Sequence, residues 1–160
     1  MGDYPGKGTV AVLKTTPESV VEDVQRVMNL GGFEAALPKD VRTGLKINIS
    51  WQTWYPACSS TPWQIEGAIQ GLRAAGYREI VGVHNDTVVV DTRVGEFNNK
   101  HRFVTDKYRV PCLYLYEEDF EWFEFKPKKP FVVLDKIYPQ GVFIPKALVG
   151  INLIHLPTVK

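Results

Sequence analysis

Short apolar runs rich in β-branched residues alternate along this chain with stretches whose apolar residues recur every three to four positions, and this alternation constrains the fold most. Residues 8–14, GTVAVLK, read as a first strand. Val20, Val21, Val24, Val27 and Met28 then follow at helical spacing to about Leu30, where Gly31-Gly32 ends the helix. Thr16 is placed to cap it, with Pro17 and Glu18 in its first turn. In residues 44–50, Leu45, Ile47 and Ile49 alternate with Lys46, Asn48 and Ser50, the pattern of a second strand. A polar and aromatic loop leads to Ser60 and Thr61-Pro62, which open a second helix with Ile65, Ala68, Ile69 and Leu72 as its buried stripe and Gly76 as its end. Residues 78–85, REIVGVHN, are a third strand. Repeated strand–helix–strand order predicts an α/β fold: a mostly parallel sheet with helices on both faces, Rossmann-like and three-layered.

Beyond that point the pattern is weaker. Residues 92–108 predict a polar helix with Val94, Phe97 and Phe103 inward and His101 toward solvent. Residues 111–118 read as a fourth strand, aliphatic on one face and aromatic on the other. A β-rich insertion is expected near 119–146, with FEWFEF and FVVLDKIY forming a hairpin. Residues 146–156 read as a last strand buried on both sides and closed by Pro157. With no internal repeat and no low-complexity linker, residues 1–160 are expected to form a single domain.

Composition narrows the function classes. Nineteen Lys and Arg against eighteen Asp and Glu leave a net charge of +1, which argues against a nucleic-acid binder with its basic excess. No run approaches the ~18 apolar residues of a membrane span, and MGDYPGKG lacks a signal peptide's basic start and apolar run, so a cytoplasmic location is expected. Cys58 and Cys112 stand 54 positions apart without a Cys-x-x-Cys pair or a histidine at ligand spacing. They read as free thiols, and no metal site or cofactor is expected in this chain.

Ligands of parallel α/β sheets bind beyond the carboxyl ends of the strands. In chain order those ends carry Lys14, then Lys46, Asn48 and Ser50, then His84, Asn85 and Asp86, and finally His155 and Lys160. His84 is the strongest single candidate because imidazole changes charge near neutral pH, with Asp86 as its acid–base partner. The lysines, Asn48, Ser50, Asn85 and His155 are candidate ligand-binding groups, and Lys14, Lys46 and Lys160 are expected to gather at one edge. Trp51, Trp54, Tyr55 and Trp63 cluster in the loop after the second strand, where they either cover the sheet edge or form a stacking platform. Neither a glycine-rich phosphate loop nor a G-x-S-x-G elbow occurs.

Three short motifs carry a resemblance. Lys46-Ile47-Asn48 resembles a lysine–proline–asparagine strand end, Ser60-Thr61-Pro62 a threonine–x–proline helix start, and residues 154–160 a late strand ending in asparagine, leucine, proline and lysine. Together they resemble the prokaryotic domain of unknown function 362 family, some members of which carry iron–sulphur modules. Ile47 replaces that family's proline and His155 its asparagine. The resemblance implies that this chain is either the N-terminal part of a longer family protein or a short, single-domain form of it. It also implies that any iron–sulphur cluster sits on another domain or subunit.

Two functions from different classes follow. One is an enzyme or enzyme domain that binds a small anionic or metal-linked molecule at the strand ends, as part of a redox-linked enzyme. The other is a non-catalytic ligand- or partner-binding module using the aromatic 51–63 loop and the 114–125 face, as a homo-oligomer or with a redox partner.

Overall fold

The computed structural model describes residues 6–85 and 87–158. In chain order the elements are α1 (Val20–Leu30), α2 (Phe33–Ala36), β1 (Thr43–Ile47), α3 (Pro62–Ala74), β2 (Ile80–His84), α4 (Thr92–Asn98), α5 (His101–Lys107), β3 (Cys112–Tyr114), β4 (Trp122–Glu124), α6 (Leu134–Ile137), β5 (Phe143–Pro145) and β6 (Asn152–Leu156). Strands β3-β2-β1-β6 form a parallel sheet in that order, and β4 and β5 form a separate antiparallel pair. The chain moves outward from β1 to β3 and then returns to the other side of β1, so strand order reverses between β1 and β6.

The pleat divides the side chains. Register places Leu45 and Ile47 of β1 on one face with Ile154 and Leu156 of β6. These join Ile65, Ala68, Ile69 and Leu72 of α3, Phe33 of α2, Val24 and Met28 of α1, and Val104 of α5 in the main core. The second face carries Val81 and Val83, packed with Leu113, Leu115, Phe120, Ala147 and Leu148. Helical packing is thus concentrated on the first face, while a single 3-10 turn at Lys146–Leu148 and neighbouring loop residues cover the second. Helix α3 begins at Pro62 behind Thr61, whose hydroxyl accepts from the Gln64 amide. It crosses α1 closely at Gly67, where a Cβ would meet the Val21 carbonyl oxygen at 2.6 Å.

Six expectations are corrected. Residues 8–14 form no strand: Gly8 lies in a turn at φ 82° and 9–14 adopt no regular structure, with Val10 and Val12 exposed and Leu13 against α1. Strand propensity becomes a strand only through a ladder, and no sheet edge accepts this segment. Helix α1 accordingly starts at Val20, behind Ser19 rather than Thr16. The 92–108 segment is two helices broken at Asn99-Lys100, with Lys100 at φ 66°. Its inward residues are Thr92, Gly95, Glu96, His101, Val104 and Thr105, while Val94, Phe97 and Phe103 face out. Gly95 sets this orientation, because only a residue without Cβ allows Ile49 to approach: Cγ2 would lie 2.7 Å from that Cβ.

In the insertion, β4 pairs with residues 143–145 rather than with 131–138. Prolines at 127 and 130 interrupt the amide donors a direct hairpin would need, and residues 134–137 close into one helical turn. The final strand spans only Asn152–Leu156 and is an edge strand, so His155 on its second face is exposed.

Candidate functional site

Strands β1 and β2 lie side by side and end together, Lys46 level with Val83. Just beyond their carboxyl ends is a cleft of about 90 Å³ lined by Lys46, Asn48, His84, Asn85 and Thr92, with Val90 and Ile49 as apolar walls. Since one water occupies ~30 Å³ of liquid, the space suits a ligand the size of about three waters. Burial holds the half-buried Lys46 ammonium below the usual lysine range. A wider opening of about 550 Å³ between β4 and α6 has an exposed lining of lysine, proline and carboxylate side chains and contains no buried titratable group.

The loop after β1 folds back over the strand ends and is held from three sides. Asn48 and Ser60 exchange bonds: the Ser60 amide donates to the Asn48 carbonyl at 2.9 Å, and the Asn48 amide to Ser60 Oγ at 2.9 Å. Ser60 Oγ donates in turn to the Leu156 carbonyl, tying β1 to β6 where strand order reverses. Asn48 Nδ2 donates to Ser50 Oγ, so these two predicted ligand groups hold each other. From the helical side, Asn98 and Asn99 donate to the carbonyls of Gln52 and Trp51, each at 3.0 Å. His101, predicted outside, is wholly buried and bonds the Ser60 carbonyl. Polar residues were expected to face water; here they face the inner carbonyls of a loop whose Ser59-Ser60 end is buried. Trp51, Trp54 and Tyr55 of that loop and Trp63 in the first turn of α3 remain 45–68% exposed.

The predicted candidates divide by face. His84 lies on the helical face, level with Tyr114, whereas Lys46 and His155 are register partners on the second face. Lys46 and His84 meet around the strand tips in the cleft, which His155 does not line. Lys14 is exposed on the segment before α1 and does not line the cleft, so Lys14 and Lys46 do not gather there. Asp86 and Lys160 lie outside the described residues. The acidic run that follows β3 is largely paired: Glu117 with Arg93, Glu121 with Lys146 and Glu124 with Lys126.

Behind His84 is a cluster that sequence spacing did not suggest. Glu96 of α4 is 2% exposed, and its Oε1 lies 2.9 Å from His84 Nε2. The contact is out of line for a hydrogen bond, leaving Nε2 buried without a hydrogen-bond partner. Tyr114 donates to the other carboxylate oxygen at 2.6 Å and stacks on His84 with ring centroids 5.6 Å apart. Cys112 Sγ completes the group, and one donor atom from each of His84, Glu96 and Cys112 lies within 4.8 Å of the others. Burial raises the Glu96 carboxyl, but the close approach of His84 and the Tyr114 hydroxyl outweighs it and holds the group below the usual carboxylate range. Burial, then the Glu96 charge, push the Cys112 thiol up to about 12. Cys58 and Cys112 are both free thiols. The four residues sit on three elements with no local motif; only the buried strand sequence ending at His84 hinted at the place.

Fold and cleft together define an α/β domain with a parallel sheet and a small polar cleft at its carboxyl edge. Among the described residues, no helix is long and apolar enough to cross a membrane. Searches against protein-family models, curated proteins and solved structures each found no match to this chain.

Proposed function

We propose that this domain binds a small anion, or a small metal-linked anionic ligand, in the cleft at the carboxyl ends of β1 and β2. The observation that carries this reading is the cleft itself: a lysine, two asparagines, a histidine and two threonines line about 90 Å³ just beyond two adjacent parallel strands. Lys46 supplies the positive charge, Asn48, Asn85 and Thr92 supply polar contacts, and His84 lies at the inner wall. His155 and Ser50 act at the rim of the same edge, and Lys14 and Lys160 belong to the proposal only as longer-range charges. In an enzymatic version His84 exchanges the proton, with Asp86 or the adjacent Glu96 as its partner.

Membership of the domain of unknown function 362 family is part of this proposal. It is supported by where the motifs fall: Lys46-Ile47-Asn48 spans the end of β1, and Ser60-Thr61-Pro62 opens α3. A Rossmann-like, three-layer arrangement in a cytoplasmic protein belongs to the same proposal; the parallel sheet supports its α/β part, whereas the helices that build the main core pack on one face. An iron–sulphur cluster does not fit this chain, whose two thiols sit on separate elements and fall short of the four ligands such a cluster needs. Redox chemistry would therefore reach this domain only from another domain or subunit.

Calorimetric titration with phosphate, sulfate, bicarbonate and short carboxylates tests the anion reading. Saturable binding is expected with at least one of them, weakened about tenfold or more in Lys46→Ala by loss of a charged contact. Absence of binding across the panel, or binding indifferent to Lys46→Ala, overturns it. A second reading, a partner-binding module, is favoured by one observation, the exposure of Trp51, Trp54 and Tyr55 in the loop after β1 together with Trp63 at the start of α3.

A further inference from the structure

We propose that His84 Nε2, Glu96 Oε1 and Cys112 Sγ together hold one divalent transition-metal ion, zinc by the chemistry of the donor set, on the helical face of the sheet. This goes beyond the anion-binding reading: it shares His84 with the cleft but needs nothing bound there.

Four observations converge on it. The donors come from β2, α4 and β3, and one atom of each lies within 4.8 Å of the other two. In a tetrahedral site with bonds of ~2.0–2.3 Å, donor atoms sit roughly 3–4 Å apart, so small side-chain adjustments close the set on an ion. His84 Nε2 is 2.9 Å from Glu96 Oε1 yet makes no hydrogen bond, although both residues are almost wholly buried. A structural pair in the interior would align the N–H on the carboxylate, because an unpaired buried polar atom costs ~1–3 kcal/mol. A cation between the two atoms satisfies the imidazole lone pair and the carboxylate at once.

The surroundings are arranged for the same end. Tyr114 donates to Glu96 Oε2 at 2.6 Å, which leaves Oε1 toward His84 and fixes the carboxylate from its far side. Gly82 of β2 pairs with Cys112, and a Cβ there would lie 2.6 Å from Sγ, so the missing side chain is what lets the sulphur rest over β2 beside His84. Imidazole, carboxylate and thiolate is a zinc-type set, and three protein donors leave the fourth position to water or a ligand.

The test uses the full chain, stripped with a chelator and titrated with cobalt(II) and zinc(II). One equivalent of cobalt is expected to bind with a thiolate-to-cobalt charge-transfer band, and zinc to displace it. Cys58→Ser should keep the band, since Cys58 is the other cysteine and stands outside the cluster. Cys112→Ser should lose it, with zinc affinity down about 100-fold or more, and Tyr114→Phe should weaken zinc about 10–100-fold through the carboxylate it orients. Lys46→Ala should bind metal as the unaltered chain does, which separates failure of this site from failure of the anion reading. No stoichiometric binding, binding without the thiolate band, a band lost in Cys58→Ser, or one that survives in Cys112→Ser overturns the proposal. Should Cys112→Ser not fold, the Cys58→Ser spectrum alone assigns the sulphur.

Discussion

The wholly buried imidazole of His101 donates its Nε2 proton to the Ser60 carbonyl at 2.6 Å, joining α5 to the loop that closes the strand ends. A carbonyl only accepts, so this bond selects the neutral tautomer with its proton on Nε2. Nδ1 is buried and has no hydrogen-bond partner. Protonating the ring would place a charge and an unsatisfied N–H in the interior, and burial holds its pKa down to about 4.

Acid should therefore loosen the fold before the carboxylates titrate. An unfolded imidazole titrates near 6.5, so between about 6.5 and about 4 the unfolded chain binds the extra proton. Stability is fully present above that window and is expected to fall by about 3 kcal/mol as pH drops through it. Urea unfolding at pH 7, 5.5 and 4.5 measures this slope, and His101→Gln, which keeps a donor but does not titrate, should flatten it. An unchanged slope in the variant would assign the acid sensitivity elsewhere.

Glu96 anchors a buried polar cluster, so the two obvious substitutions should differ. Glu96→Ala removes the acceptor of the Tyr114 hydroxyl and the anion beside His84, and is expected to cost about 3 kcal/mol of stability. Glu96→Gln keeps an oxygen for Tyr114 and should cost clearly less. Equal losses in chemical denaturation would show that packing, not polarity, is what Glu96 contributes.

The α1–α3 crossing depends on Gly67. A methyl group there meets the Val21 carbonyl at 2.6 Å and Val24 Cβ at 2.7 Å, all backbone or rigid side-chain atoms. Although alanine is favoured over glycine by ~1 kcal/mol in an isolated helix, overpacking should prevail and leave Gly67→Ala about 1–2 kcal/mol less stable. A thermal melt at or above that of the unaltered chain would sink this account.

Phe97 and Phe103 should be nearly dispensable for stability. Their rings pair on the surface, centroids 5.5 Å apart, with the Lys100 ammonium 5.8 and 5.7 Å from them. Each side chain is 55% exposed, so Phe97→Ser and Phe103→Ser are expected to cost under about 1 kcal/mol apiece, against ~3–5 for truncating a core phenylalanine. Losses of the larger size would restore the inward orientation that helical periodicity suggests.

How much was legible beforehand depended on whether the information was local. The 3.6-residue stripe of α3, its Thr61-Pro62 start and the alternation of β1 are properties of neighbouring residues, and they predicted those elements within a few positions. Lys46, Asn48, His84 and Asn85 were legible as candidates for the same reason, because they follow apolar strands, and all four line one cleft. Residues 8–14 had every local mark of a strand and formed none, since a ladder requires a partner that no local pattern supplies.

The sequence by itself thus determined the α/β alternation, the parallel sheet it implies and the strand-end position of a polar cleft. Only the tertiary structure decided which groups surround His84. Glu96, Cys112 and Tyr114 lie 12, 28 and 30 positions further along the chain, and they meet His84 because β3 pairs with β2 while Glu96 of α4 reaches His84 and Tyr114. It likewise turned His101 inward, against its polar neighbourhood in the sequence. Polarity read along a chain forecasts exposure only where water is the available partner. Here the loop after β1 offers carbonyls in the interior, and a buried hydrogen bond takes the place of solvent.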